Sequence, residues 1–220
     1  MCNTPQSAIG PSPWADYQRS LPRSKKIFES RDEDTVAGAT PAAFQGAQSG
    51  PKDYRPSAYD IYNTWAKSVL ANLRAEKSTI GSRLASRDGF ALWHQELGTS
   101  LDAMWKERAS DAFALAPRQK WKLVNLFIKW LAPVATAPGL RDAILANGHV
   151  VLNTPTIAKM EALFGKEMPS GSANQTEAEF LDWYVTCQEL VRSHTAADRY
   201  GGSPVLFDIW CRAAYLSDPD

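Results

Sequence analysis

The sequence predicts an all-α protein. From Ser57 onward apolar residues recur at three- and four-residue spacing, and capping or stopping residues bound each such segment. No segment shows the alternation expected of a half-buried strand, and no internal repeat is found.

The first helix is read from "SAYDIYNTWAKSVLANLRAEK", where Tyr59, Tyr62, Trp65, Val69, Leu70 and Leu73 fall on one side and Ser57 is placed to cap the N-terminus. Helices around 86–97 and 100–115 follow, with Gly98 as the break between them. Next comes "RQKWKLVNLFIKWL", which starts after Pro117. "PGLRDAILANG" is a short helix closed by Gly148. "NTPTIAKMEALFG" offers Thr154 as N-cap, Pro155 at the first helical position and Gly165 as the stop. "TEAEFLDWYVTCQELVRSH" opens with Thr176 and Glu179 in capping-box register, and "GSPVLFDIWCRAAYL" opens on Ser203 and Pro204.

Residues 1–56 read differently. They hold seven of the fourteen prolines, many small residues and the mixed-charge run "RSKKIFESRDED". This pattern predicts an irregular arm, draped on the body through Trp14, Tyr17, Ile27 and Phe28, ahead of one helical domain over 57–220. The segment "GKEMPSGSAN" at 165–174 reads as a loop.

Composition narrows the function. Lysine and arginine total 24 against 24 acidic residues, so nucleic-acid binding requires local rather than global charge. Eight tryptophans could fill a core or offer surfaces for base stacking. Cys2, Cys187 and Cys211 are too few for a four-cysteine cluster and odd in number, which points to a reducing cytoplasm rather than a disulfide framework. No run of about 18 apolar residues exists, so no membrane span is expected.

Local charge is found at 118–131. Between Asp111 and Asp142 there is no acid, while Arg118, Lys120, Lys122, Lys129 and Arg141 are present. One reading is a solvated face opposite the stripe of Leu123, Leu126, Phe127, Trp130 and Leu131. The other is a phosphate-contacting surface that uses the cations and a helix N-terminus. Lys122 stands at the edge of the apolar stripe, where partial desolvation beside other cations would lower its pKa and free a nucleophilic amine. His94, His149 and His194 are far apart in sequence and lack a metal-binding or triad setting, so structural roles are expected.

"QKWKLVNLFIKWL" followed by "GHVVLNTPTIAKMEALFG" resembles the signature region of the helix-hairpin-helix DNA glycosylases, all-helical base-excision enzymes. The spacing is similar to that of the archaeal branch that removes oxidised guanine. The resemblance covers roughly 118–165. It implies a Schiff-base lysine at Lys122, or at Lys120 in the alternative register. Asn153 takes the position of the family's catalytic aspartate, and Arg118, Gln119, Lys120 and Lys129 become the DNA-binding residues. His149, Phe207, Asp208 and Trp210 are the candidates for a base pocket.

The sequence departs from the family pattern twice. "ALAPRQKWK" lacks the glycine-rich hairpin, and an amide replaces the carboxylate at 153. An enzyme that works with Asn, an inactivated form and a degenerate member all fit that replacement. The expected function is excision of a modified base from double-stranded DNA by a cytoplasmic monomer that needs no metal or cofactor. Divergence from the family suggests a specialised substrate, such as glucosylated cytosine in phage DNA met in antiviral defence. The alternative is a non-catalytic helical nucleic-acid-binding module.

Overall fold

A computed structural model of the chain describes residues 13–29, 56–109, 114–134, 137–171, 176–196 and 202–213. Among them are nine α-helices and no strand: α1 (Pro13–Glu29), α2 (Ala58–Ala75), α3 (Ile80–Leu84), α4 (Arg87–Arg108), α5 (Pro117–Val134), α6 (Leu140–Asn147), α7 (Thr154–Phe164), α8 (Glu177–Thr195) and α9 (Pro204–Ala213).

Helix α5 lies at the centre, against α4, α6, α1 and α8. That placement explains its composition. Every residue from Leu123 to Lys129 is buried, so the helix has no solvated face over two turns. Helix α9 is the second interior element. It packs on α1, α6, α7 and α8, and every residue from Val205 to Cys211 is buried. Helix α2 lies along α4, and the short α3 bridges α4 and α6. None of the helices is long and apolar enough to cross a membrane.

Several helix ends form as their residues dictate. Ser57 caps α2 in a box with Asp60, and Thr176 caps α8 in a box with Glu179. The Ser203 hydroxyl accepts from the Leu206 amide at the start of α9. Gly148 and Gly165 end α6 and α7.

Four expectations are corrected. Residues 13–29, read as part of an irregular arm, form α1; Tyr17, Leu21, Ser24 and Phe28 are buried at helical spacing, a period obscured in the sequence by Pro22 and the low-complexity surroundings. The rest of the expected arm lies outside the described residues, apart from Pro56. Gly98 does not divide two helices. It sits inside α4 because the ring of Trp121 occupies the space a side chain would take, 2.6 Å from the position of a Cβ. The N-cap of α7 is Asn153 rather than Thr154, its side chain accepting from the Thr156 amide. Helix α3 has no counterpart in the sequence reading. Within the expected loop at 165–174, residues Gly165–Glu167 form a 3-10 turn, and the Trp183 indole donates to the Pro169 carbonyl.

Gly98 yields a direct test. Gly98→Ala forces the methyl into Trp121, and a loss of about 1–3 kcal/mol is expected in urea unfolding. Trp121→Leu in the same chain should recover part of that loss relative to the sum of the single changes, because it removes the colliding ring.

Candidate functional site

The polar residues of α5 are not scattered. Arg118, Lys122, Asn125 and Lys129 recur at i, i+4, i+7 and i+11, which puts them in one line along the helix. Burial deepens along that line. Arg118 is exposed, Lys122 is partly buried, and Asn125 and Lys129 are 2% and 1% exposed. A polar stripe therefore runs from the surface into the core, and each member meets a different environment.

At the inner end, the Lys129 amine is bonded to Asp208 Oδ2 on α9, and Asp208 is wholly buried. The other carboxylate oxygen accepts from the Thr156 hydroxyl on α7 at 3.2 Å. That hydroxyl also lies 3.1 Å from Asn153 Oδ1, which accepts the Thr156 amide at the same distance. One chain of contacts thus joins α5, α9 and the start of α7. An aspartate at 153 would cap α7 as well as asparagine does. It would also place a second carboxylate across a single hydroxyl from Asp208, and one hydrogen cannot serve both.

At the outer end, Lys122 has no hydrogen-bond or ion-pair partner among the described residues. Burial lowers its pKa from the ordinary lysine value, and the positive charges of Arg118 and Arg212 lower it further. Arg212 is one helical turn beyond Asp208, so α9 contributes both the carboxylate of the inner pair and a cation of the outer cluster. Arg118 and Arg212 also have no carboxylate partner among the described residues. The result is a cluster of three cations, Arg118, Lys122 and Arg212, in which the lysine amine is partly desolvated, an arrangement suited to anions.

The middle of the stripe supports the segment that leads to Asn153. The Asn125 amide donates to the Val150 carbonyl (3.1 Å) and the Tyr184 hydroxyl (2.8 Å), while its oxygen faces His94 Nε2 at 2.8 Å. Gln188 accepts the Val150 amide and donates to the Val150 carbonyl. Side chains of α5 and α8 thereby satisfy the backbone amide and carbonyl of the buried Val150, which lies outside any helix.

The residues singled out in the sequence divide into distinct groups. Lys120 is held between Asp102 (2.8 Å) and Glu177 (3.1 Å). Burial alone would lower its pKa, but the bonds to both carboxylates raise it, so it is a poor nucleophile. Gln119 is buried, and the Lys129 charge is neutralised inside the protein, so neither extends the exposed cationic face. Phe207, Asp208 and Trp210 are 0%, 0% and 2% exposed and fill the core. Phe207 and Trp210 pack on Tyr17 of α1, and the Trp210 indole donates to Asp16. They form no open wall for a base. His149 is partly buried and bonded to Tyr184. No hydrogen bond or ion pair joins Lys122 to Asn153; Lys122 lies about two helical turns along α5 from Lys129, whose contacts through Asp208 and Thr156 lead to Asn153.

Sequence reasoning missed the Lys129–Asp208 pair and the Asn125 network. The alignment of Asn125 and Lys129 with Lys122 was visible in the spacing. Its direction into the interior was not, because it depends on what surrounds α5.

Lys129→Met should destabilise the protein by about 3–5 kcal/mol, since it leaves Asp208 charged and unpaired in the core. Adding Asp208→Leu should recover much of that loss in the same denaturation assay. Asn153→Ala should cost about 1 kcal/mol as a lost cap, whereas Asn153→Asp retains the cap.

No protein-family model matches the chain, and no curated protein or solved structure shows significant similarity to it.

Proposed function

We propose that the chain acts on double-stranded DNA as an N-glycosylase, with Arg118 and Arg212 on the phosphates and the Lys122 amine at the reacting sugar. The observation that carries this reading is the position of Lys122: partly buried, flanked by two cations and without an acid partner among the described residues. A lowered pKa increases the fraction of neutral amine at neutral pH, as attack on a sugar carbon requires. In that step the amine bonds to C1′ as the C1′–N bond breaks and the base departs through a sugar of oxocarbenium character. The order of α5, the buried apolar segment 150–152 and a residue at the N-cap of α7 accords with the family resemblance. The substrate class is a modified base, with a bulky cytosine derivative such as the glucosylated form as the first candidate.

A second reading has its own support. Phe207, Asp208 and Trp210 are packed in the core, and Asn153 is engaged as a helix cap, which favours a binding module that uses the same cations without chemistry.

Single-turnover release of free base separates the two. The assay uses duplexes carrying a panel of modified bases, with alkali treatment to reveal abasic sites, for the parent chain, Lys122→Gln and Asn153→Asp. The glycosylase reading expects release by the parent or by the Asn153→Asp variant. It also expects a loss of at least about a hundredfold in Lys122→Gln, with DNA affinity largely kept. DNA binding without release by either chain transfers the proposal to the binding module. In both readings, removing Arg118 or Arg212 should reduce the salt dependence of log K by about 0.9 for each phosphate left without its cation.

A further inference from the structure

Apart from the cationic cluster there is a second group of titratable side chains, which the proposed chemistry does not use. His94 on α4 and His149, just after α6, have ring centroids 4.4 Å apart. Their hydrogen bonds run through Asn125 and Tyr184. The Val150 carbonyl can only accept, so the Asn125 nitrogen faces it and the Asn125 oxygen faces His94; His94 Nε2 therefore carries the proton. Tyr184 accepts from Asn125, and its hydroxyl lies 2.8 Å from His149 Nδ1, to which it can donate when that nitrogen is unprotonated. A pair of neutral imidazoles satisfies this arrangement.

The surroundings oppose a positive charge on either ring. From α4, Arg87 faces the pair; from α8 come Arg192, Glu189 and the Tyr184 hydroxyl. Glu189 is bonded to both arginines, so one carboxylate answers two cations. From α5, Trp121 stacks on His94 at 4.6 Å, and the Lys120 beside it is already neutralised by Asp102 and Glu177. On α9 the adjoining residue is the apolar Val205, against Gly148. Charging both rings would place two cations with centroids only 4.4 Å apart.

We propose that the His94–His149 pair, bonded through Asn125 and Tyr184, is an acid-sensitive latch on residues 148–152, the segment that carries Asn153. Acid would charge the rings in the open state and release this segment while the outer helices remain folded. The inference is independent of the DNA reading. Burial lowers His94 to a pKa of about 4, partly offset by its bond to Asn125, and holds His149 well below the ordinary histidine value, with the charges of His94, Arg192 and Arg87 adding to the effect. Latch stability is thus complete above about pH 6.5 and is lost as the pH falls from there through the folded-state values.

The test is hydrogen exchange at the Val150 amide, corrected for intrinsic rates, between pH 7 and pH 5. Amides of α2 serve as the reference. Between pH 6 and pH 5 the opening constant at Val150 should rise by between about tenfold and a hundredfold while staying well above that of the α2 amides; His149→Gln should flatten this rise to about tenfold or less. Unchanged protection at Val150, an opening constant equal to that of α2, or an unaltered slope in His149→Gln would each overturn the proposal. Should that variant not fold, NMR titration of the parent decides: both imidazoles must be neutral at pH 6, and a protonated ring there overturns it.

Discussion

The contact on which the architecture turns is the buried bond between Lys129 and Asp208. It joins the two interior helices, α5 and α9, and through Thr156 it fixes the start of α7. A buried ion pair contributes little net stability, because removing two charges from water costs about as much as their attraction returns. Its effect is on register. Lys129 has few ways to satisfy its charge, so α5 and α9 are held where the amine meets the carboxylate. That register leaves Arg212 near Lys122 at the other end of the contact.

The stripe of Arg118, Lys122, Asn125 and Lys129 shows how one sequence pattern acquires several roles. At its inner end a cation is neutralised, in the middle an amide satisfies the backbone of a buried segment, and at the outer end cations stand without acids among the described residues. The chain as a whole has zero formal charge, so this separation is produced by folding rather than composition. Lys120, only two residues from Lys122, lies on another side of α5 and is bound by two carboxylates. Which lysine keeps an available amine is decided by these neighbours.

Much of the fold was legible in the sequence, because capping and periodicity are local. Ser57, Thr176 and Ser203 could be read as caps from a few adjacent residues. Gly98 misled because a glycine in a helix looks like a break until the Trp121 ring above it is known. Helix α1 was hidden because Pro22 interrupts a pattern whose buried face, Tyr17, Leu21, Ser24 and Phe28, makes sense only against α9. Within the candidate site, the unusual position of Lys122 was readable at the edge of the apolar stripe. The burial of Lys129, Phe207, Asp208 and Trp210 was not, since amphipathic spacing cannot reveal that both faces of a helix are covered.

The central claim is that folding leaves Lys122 as a partly desolvated amine that meets the reacting sugar of bound DNA. Its most direct test is an NMR titration of the chain with 13C-methylated lysines, assigned through Lys122→Arg, with and without a duplex containing modified bases. The account predicts that the Lys122 resonance titrates below the ordinary lysine value and shifts when DNA is added at low salt. Titration at the ordinary value, or a resonance unmoved by saturating DNA, would contradict it.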